Sequence, residues 1–263
     1  MDFTPEKQSP ILEVSLLNKN FGGMRTIIDL SFELAPKECL GIIGPNGAGK
    51  TTLFNLLSGI IRPSSGKILW FHQEIQKKSS SEIVHLGIAR TFQNIRLFKQ
   101  LSVLENIRIA YDIHLTYTPL QALLRTALTR EEEKKSAQAA MELLDVFSIT
   151  SLAHQPAGSL SYGDQRRLEI ARALALHPRL LLLDEPAAGM NESEMYQLVE
   201  LLQWIQKKFH VSMLLIEHHM AFINGLCDRT LVLDFGTLIA QGTLEEIRHD
   251  RRVIEAYLGE AVT

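Results

Sequence analysis

Residues 44–51, GPNGAGKT, match the phosphate-binding pattern G-x-x-x-x-G-K-[ST] at every fixed position. An apolar stretch precedes this loop and a helical pattern follows it, a context that a chance glycine-rich turn would not share. The glycines let backbone N–H groups point at nucleotide phosphates, and the helix start favours negative charge. The sequence therefore predicts phosphate binding by Gly44, Pro45, Asn46, Gly47, Ala48, Gly49, Lys50, Thr51 and Thr52.

Four side chains in and beyond this loop have distinct chemical roles. Lys50 supplies a positive charge to the phosphates, and Thr51 supplies a hydroxyl ligand for Mg²⁺. Asp184 and Glu185 follow four leucines and precede a proline, as expected for carboxylates at the end of a buried strand. Asp184 would hold the Mg²⁺ shell, and Glu185 would polarise an attacking water. Two solvated carboxylates are the alternative, which the phosphate loop disfavours.

Strands must position these residues, and several stretches have the patterns of strands. Residues 28–34 alternate strictly between apolar and polar side chains, which predicts a half-buried strand paired antiparallel with residues 11–17. The continuous apolar runs at 39–44, 179–186 and 211–219 are typical of buried parallel strands. Strands that alternate with helical patterns predict an α/β fold.

The segment from about 98 to 160 has a helical pattern and predicts an inserted helical subdomain. Within it, Ala137, Ala140, Met141 and Leu144 form one apolar stripe, and the charges at 131–135 form a solvated face with an i,i+4 pair. Near the chain's end, LVLDFGTLIAQG predicts a hairpin, with the Asp-Phe-Gly triplet as its turn, and residues 245–258 predict one helix.

Composition limits the classes of function. The chain has 263 residues, 46% of them hydrophobic and 22% charged, and a net charge of −3, which disfavours a nucleic-acid binder. Its two cysteines, Cys39 and Cys227, have no metal-binding spacing and fit a reducing cytoplasm. We expect no signal sequence and no membrane span, so that work at a membrane would need a partner.

Five motifs occur in one order along the chain, and this order resembles that of ABC-type ATPases. The motifs are the phosphate loop, Gln93 in RTFQ, LSYGDQRR at 160–167, LLLLDEPAAG at 180–189 and LLIEH at 214–218. Within that superfamily, RTFQNIRLF, YGDQRRLEIAR, DEPAAGMN, LLIEHHM and the closing VIEAYLGEA resemble the ATPase subunits of branched-chain amino acid importers, the LivG-like type. The resemblance implies ATP and Mg²⁺ as cofactors.

The resemblance also implies a domain organisation: an α/β P-loop NTPase core with an N-terminal antiparallel β subdomain and an inserted α-helical subdomain. The implied parts are residues 1–97, which hold the β subdomain and the phosphate-loop part of the core, the helical subdomain at 98–160, and the signature helix with the rest of the core at 161–263.

Three further residue roles are implied by the resemblance. Phe21 would stack on the adenine ring, Gln93 would reach Mg²⁺ and the attacking water, and His218 would contact the γ-phosphate. A simple loop aromatic remains open for Phe21, and a core histidine at a strand end for His218. The neighbouring His219 stands where the family more often has aspartate; a metal site with His210 and Glu217 is disfavoured because strand neighbours point to opposite faces.

The stretch LSYGDQRR combines a helix cap with a candidate anion site. Ser161 precedes a helix with Asp164 three residues later, which predicts a capping arrangement. In the resembled family this segment contacts the ATP bound to the opposite subunit, which would involve Ser161 and Gly163. Because an inward carboxylate would repel phosphate, we expect Asp164 to point away and cap, and Gly163 to supply any special backbone angle in place of Tyr162.

The implied function is ATP hydrolysis that drives an importer at the cytoplasmic face of the membrane. The implied partners are integral-membrane permease subunits, a second ATPase subunit (a copy or a related chain) and, indirectly, a solute-binding protein; Asn191 would replace a common aspartate at the dimer contact. Branched-chain amino acids are the leading cargo, and urea or short amides, other amino acids and lipopolysaccharide export remain alternatives. A kinase and a soluble ABC protein of DNA repair or translation are the rivals from other classes.

Overall fold

The structure, a computed structural model, describes residues 9–258, without the side chains of 119, 120 and 258. Its strands, in chain order, are β1 Leu12–Phe21, β2 Met24–Leu34, β3 Cys39–Ile43, β4 Ser65–Trp70, β5 Gln73–Glu74, β6 Ile88–Arg90, β7 Leu180–Asp184, β8 Ser212–Ile216, β9 Arg229–Asp234 and β10 Thr237–Gly242. Its α-helices are α1 Lys50–Leu57, α2 Ser80–His85, α3 Val103–Tyr111, α4 Pro119–Leu123, α5 Ala127–Val146, α6 Tyr162–Leu174, α7 Glu192–Phe209, α8 Met220–Leu226, α9 Leu244–Arg248 and α10 Arg251–Leu258.

The first sheet is antiparallel and has the strand order β2-β1-β4-β5. The predicted pairing of residues 11–17 with 28–34 is confirmed, since Leu12 pairs with Leu34 and Leu17 with Leu30. The alternation is interrupted at Asp29, whose left-handed φ of 45° accompanies a register shift. Because of this bulge, Ile27 takes the fully buried position and Ile28 is only half-buried.

The second sheet forms the core and has the strand order β10-β9-β3-β8-β7-β6. The five strands from β9 to β6 are parallel, and β10 adds an antiparallel edge through the hairpin with β9. Strands β3, β7 and β8 are buried along their whole length, as their apolar runs predict. Their carboxyl ends meet at one edge of the sheet, where ligands bind in open α/β folds.

Residues 98–160 contain helices and no strand, in agreement with the predicted helical pattern. Helices α3, α4 and α5 occupy this segment together with short 3₁₀ turns at 112–114, 150–152 and 157–159. The predicted stripe on α5 turns inward, with Ala140 and Leu144 fully buried in a cluster shared with α6 and α7. Glu131 and Lys135 form the expected exposed pair, with 2.7 Å between the Lys135 Nζ and a Glu131 oxygen. The subdomain boundaries after 97 and after 160 stay predictions.

The C-terminal part confirms one prediction and corrects another. Phe235 and Gly236, both with left-handed φ, form a two-residue turn between β9 and β10, so the Asp-Phe-Gly triplet is a hairpin turn. The single helix predicted over 245–258 is wrong, because α9 ends at Arg248 and α10 begins at Arg251. The last three residues of the VIEAYLGEA stretch lie outside the described residues. Among residues 9–258, the helices are all too short or too polar to cross a bilayer.

Candidate functional site

The phosphate loop occupies the turn between β3 and α1. Gly49 caps α1 with a φ of 99°, and a Cβ there would lie 2.7 Å from the backbone oxygen of Thr26, so both conformation and packing require glycine. At Gly44 a Cβ would collide with the backbone oxygen of Leu233. The first turn of α1 contains no acidic side chain, and no side chain caps the helix. The backbone N–H groups at this helix start are therefore suited to bind an anion.

Lys50 lies over this loop and is only 7% exposed. Its Nζ donates hydrogen bonds to the carbonyl oxygens of Gly44 at 2.6 Å and Pro45 at 2.7 Å. These contacts hold the ammonium group at the centre of the loop. A phosphate placed there would meet a positive charge that is already positioned and largely shielded from water.

A cavity of about 600 Å³ opens over the loop. It brings together most of the predicted ligands with three residues from distant segments, Gln93, Glu185 and His218. Sequence reasoning missed Met24, Arg25, Thr26 and Phe235, which also line it. A cavity of about 880 Å³ between β1, β2 and β9 is larger, but its Arg229 is paired with Glu38 at 2.7 Å and it has no phosphate-binding loop. The smaller cavity is therefore the candidate site.

Glu185 is held from two sides. One carboxylate oxygen, Oε2, accepts a hydrogen bond from Gln93 Nε2 at 2.8 Å, and the other, Oε1, lies 3.1 Å from His218 Nε2. Its backbone N–H donates to Ile216 at 2.9 Å, which ties the end of β7 to the end of β8. The carboxylate is thus fixed at the cavity wall, where it can orient a water in front of a bound phosphate.

Asp184 is buried and paired with an arginine that sequence reasoning did not single out. Arg90 Nη2 lies 2.9 Å from Asp184 Oδ2, and Arg90 Nη1 donates to Asn55 on α1 at 2.7 Å. Burial raises the pKa of Asp184, and the guanidinium of Arg90 opposes that shift. Arg90 stands three residues before Gln93 in the RTFQ motif, which is the only local signal that could have identified it.

The donor set near the loop suits Mg²⁺. The carboxylate of buried Asp184 and the hydroxyl of exposed Thr51 are hard oxygen ligands of the kind this ion prefers. Gln93, the third predicted ligand, carries an amide oxygen on an exposed side chain whose Nε2 is bonded to Glu185.

Glu217, at the end of β8, is a buried carboxylate that connects two loops. Its Oε2 accepts from the backbone N–H of Ala187 at 3.2 Å, and its Oε1 accepts from the backbone N–H of His218 at 2.9 Å. His219 Nδ1 lies 2.8 Å from the same Oε1. The two neighbouring histidines therefore contact different carboxylates: His218 contacts Glu185, and His219 contacts Glu217. An acidic residue closing an apolar strand was the signal for Glu217.

The start of α6 has the predicted cap with one difference. Ser161 Oγ accepts from the backbone N–H of Asp164 at 3.2 Å, but the Asp164 carboxylate receives the Ser161 hydroxyl, at 2.7 Å, and not its backbone N–H. Ser161 therefore caps α6. The expectation that Asp164 points away and caps is wrong, because its carboxylate meets the Ser161 hydroxyl and not a backbone N–H. No special backbone angle is needed at Gly163, because α6 begins at Tyr162 and neither residue has a left-handed φ.

Ser161 and Gly163 are not brought to the phosphate loop. They line a separate cavity of about 140 Å³ with Asp164, Arg167 and Glu194, which shares no lining residue with the phosphate-loop cavity. Asn191 caps α7, since its Oδ1 accepts from the backbone N–H of Glu194 at 3.0 Å.

Phe21 ends β1 with 46% of its surface exposed, and Lys19 Nζ lies 4.9 Å from its ring centroid. Phe21 does not belong to the lining of the phosphate-loop cavity. Its role in stacking on adenine stays a prediction.

Comparison with known proteins decides the family. A family model described as "ABC transporter" matches residues 27–188. The chain belongs to the ABC transporter family. It is 42% identical over 252 residues to the high-affinity branched-chain amino acid transport ATP-binding protein BraF of Pseudomonas aeruginosa, with 96% of this chain and 99% of that protein covered. It is 41% identical to the high-affinity branched-chain amino acid transport ATP-binding protein LivG of Escherichia coli K12, again with 96% of this chain and 99% of that protein covered. This ABC protein therefore binds and hydrolyses ATP.

A solved relative has the same fold over nearly all of the part of the chain that the structure describes. The structure of the ADP conformation of MJ1267, an ATP-binding cassette of an ABC transporter, matches with a TM-score of 0.82 and 30% identity over 96% of this chain and 100% of that one. A second family model, "Branched-chain amino acid ATP-binding cassette transporter", matches residues 237–263. The predicted ABC ATPase fold and family are confirmed, and the kinase alternative is excluded.

Proposed function

We propose that this chain powers the import of branched-chain amino acids. It would bind permease subunits at the cytoplasmic face of the membrane, and a solute-binding protein would deliver the amino acids to those subunits. The names of the relatives and the C-terminal family match support this cargo over urea, amides, other amino acids or lipopolysaccharide. The single observation that carries the chemistry is Glu185, held at 2.8 Å by Gln93 and at 3.1 Å by His218 beside the phosphate loop.

In the proposed reaction the loop binds the phosphates and Glu185 directs a water at the γ-phosphorus. Lys50 and the N–H groups of α1 stabilise the charge that spreads over the phosphate oxygens. Gln93 and His218 keep the Glu185 carboxylate turned toward the water, and His218 is free to exchange this contact for the γ-phosphate. Thr51, Asp184 and Gln93 would hold Mg²⁺, which supplies charge neutralisation on the phosphates. Arg90 fixes the carboxylate of Asp184 for that purpose.

The second half of each ATP site would come from a partner ATPase subunit. Ser161 is exposed at the start of α6, a helix end that suits an anion, and it lines a cavity apart from the phosphate loop of its own chain. This supports a dimer in which Ser161 and Gly163 meet the ATP held by the partner. ATP binding would close the dimer, and hydrolysis would reopen it.

A groove beside the Gln93 loop suits the permease. It has a volume of about 610 Å³, its wall is mainly apolar, and Phe98 and Ile109 within it are 50% and 41% exposed. Phe92 and Arg96 complete the wall from the loop that carries Gln93. A membrane subunit seated here would sense the state of Glu185 through that loop.

A Glu185→Gln variant tests the chemistry. We expect ATP binding to persist and hydrolysis to fall by at least about 100-fold, because an amide cannot act as the base. Glu200→Gln, an exposed site on α7, is the matched control and should retain wild-type turnover. Normal hydrolysis by Glu185→Gln would remove the proposed base.

The cargo is tested on the complete complex in lipid vesicles with its permease and binding protein. Leucine, isoleucine and valine should be taken up with ATP consumption, whereas urea and short amides should not. Uptake of urea in place of leucine would overturn the cargo and leave the ATPase chemistry intact.

A further inference from the structure

Helix α6 contains a buried ion pair that lies apart from the phosphate loop and Glu185. Arg166 Nη1 lies 2.8 Å from Glu169 Oε2, and the two side chains are 0% and 2% exposed. Neither residue lines the phosphate-loop cavity or the cavity at Ser161. Both point instead toward the segment that carries Gln93.

The pair holds the backbone of that segment at four points. Arg166 Nη1 donates to the carbonyl oxygen of Phe92 at 2.9 Å, and Nη2 donates to that of Gln93 at 3.1 Å. Glu169 Oε1 accepts from the backbone N–H groups of Phe92 at 3.3 Å and Arg96 at 3.4 Å. Because all four are main-chain groups, the pair fixes the path of the loop itself.

Stability alone does not account for this arrangement. Burying two charges has a desolvation cost that their attraction often fails to exceed, so apolar residues would serve a helix of this kind at least as well. Burial raises the pKa of Glu169, and Arg166 and the loop N–H groups oppose that shift. What two apolar residues could not provide is four directed hydrogen bonds to one loop, which the planar guanidinium and the carboxylate supply.

The loop leads directly to the catalytic carboxylate. The Gln93 carbonyl oxygen accepts a hydrogen bond from Arg166, and the Gln93 side chain donates one to Glu185 at 2.8 Å. Helix α6 begins at Tyr162, about one turn before Arg166, with Ser161 as its cap. One helix therefore joins a contact near the chain's own ATP to the residues offered to the partner's ATP.

We propose that Arg166 and Glu169 are positioning residues that make residues 92–96 and the start of α6 move as one body. The pair couples the position of Gln93, and through it that of Glu185, to the position of Ser161 in the closed dimer. The two ATP sites of the dimer are then linked through each chain. This inference rests on the proposed roles of Gln93 and Ser161.

The test neutralises the acidic partner, Glu169→Gln, in the complete ATPase–permease complex. We expect kcat for ATP hydrolysis to fall about 10-fold with KM for ATP changed by less than about 2-fold, because a displaced base affects the chemical step more than binding. Glu131→Gln is the matched control, since it neutralises the acidic partner of an exposed helical pair. It should retain wild-type kcat.

Hydrogen exchange measures the loop without reference to activity. The amides of Phe92 and Arg96 should exchange about 10-fold faster in Glu169→Gln than in wild type, whereas those of β7 should not change. If Glu169→Gln fails to fold, the double variant Arg166→Met/Glu169→Leu, which leaves no unpaired buried charge, takes its place with the same expectations. Unchanged exchange at Phe92 and Arg96 in the folded variant would overturn the proposal.

A double-mutant cycle with Gln93→Ala separates positioning from a general structural effect. Adding Glu169→Gln to Gln93→Ala should lower kcat by less than about 2-fold further, because the pair acts through Gln93. Multiplicative losses would overturn that route. A failure of the proposed catalytic function gives a different result. In that case Gln93→Ala would keep the wild-type kcat, although Glu169→Gln would still speed exchange of the loop amides.

Discussion

The phosphate-loop cavity and the start of α6 both present a helix N-terminus, but they are built differently, and only α6 has an acidic residue, Asp164, in its first turn. At the first, Glu185 is bonded to Gln93, 92 residues away, and to His218, 33 residues away. At the second, the Ser161 side chain bonds to Asp164, three residues further along the chain. The first site is assembled by the tertiary fold of one chain. The second is a local structure with an exposed face that needs a ligand from outside.

This difference separates two classes of variant. Changes at the phosphate loop should act on the isolated chain, because every contact that organises the loop is internal. Changes at Ser161 should affect ATP-dependent steps only where a second subunit brings its ATP. Two predictions test this contrast and a third concerns the far end of α6, in order of decreasing effect.

Lys50→Met should abolish ATP binding by the isolated chain, weakening it by at least about 100-fold. The substitution removes a shielded positive charge from the centre of the loop, where its interaction with phosphate is strong. Calorimetric titration with ATP measures the loss, and Lys135→Met at an exposed helical pair is the control. Near-normal affinity in Lys50→Met would show that the loop is not the primary nucleotide site.

Ser161→Ala should leave ATP binding by the isolated chain unchanged while ATP-driven dimerisation and hydrolysis fall about 10-fold. Loss of the cap should also lower the free energy of unfolding by about 1 kcal/mol. Ser79→Ala removes an equivalent cap from α2 and controls for that loss, so its hydrolysis should stay at the wild-type rate. Monomer binding that falls as far as hydrolysis would contradict the assignment to the partner's ATP.

The smallest effect is expected beyond the other end of α6, at His177. Burial and, to a lesser degree, the His114 ring stacked 4.4 Å away lower the pKa of His177. The unfolded chain therefore binds a proton first as the pH falls, and the stability that neutral His177 provides above about pH 6.5 is lost below it. Urea unfolding at pH 7.5 and 5.5 should show a smaller pH effect in His177→Gln. An unchanged difference would exclude this group as a contributor.

Local sequence patterns predicted the parts of the site that are local. The phosphate loop and the Asp184–Glu185 pair each lie within a few residues, beside a strand whose apolar run reveals its burial. The hairpin turn at Phe235 and the Ser161 cap were predictable for the same reason. In each case the partner groups are close in sequence, so spacing alone determines the geometry.

The long-range partners could not be predicted from one sequence. Arg90 meets Asp184 across 94 residues and Arg166 meets the Phe92 carbonyl across 74, while nothing in either local stretch distinguishes a buried arginine from a surface one. The Arg166–Glu169 spacing resembles the solvated Glu131–Lys135 pair, and only burial tells them apart. The bulge at Asp29 depends on a backbone angle that apolar alternation does not encode.

The backbone of Glu185 has a consequence for how this enzyme balances robustness against turnover. Its φ of 48° is left-handed, a conformation that costs a side chain with a Cβ about 1 kcal/mol or more. Asparagine and glycine tolerate this angle better, but neither carries the carboxylate. A chain optimised for stability alone would replace this residue. The protein instead keeps a locally destabilising conformation at the residue on which ATP hydrolysis depends.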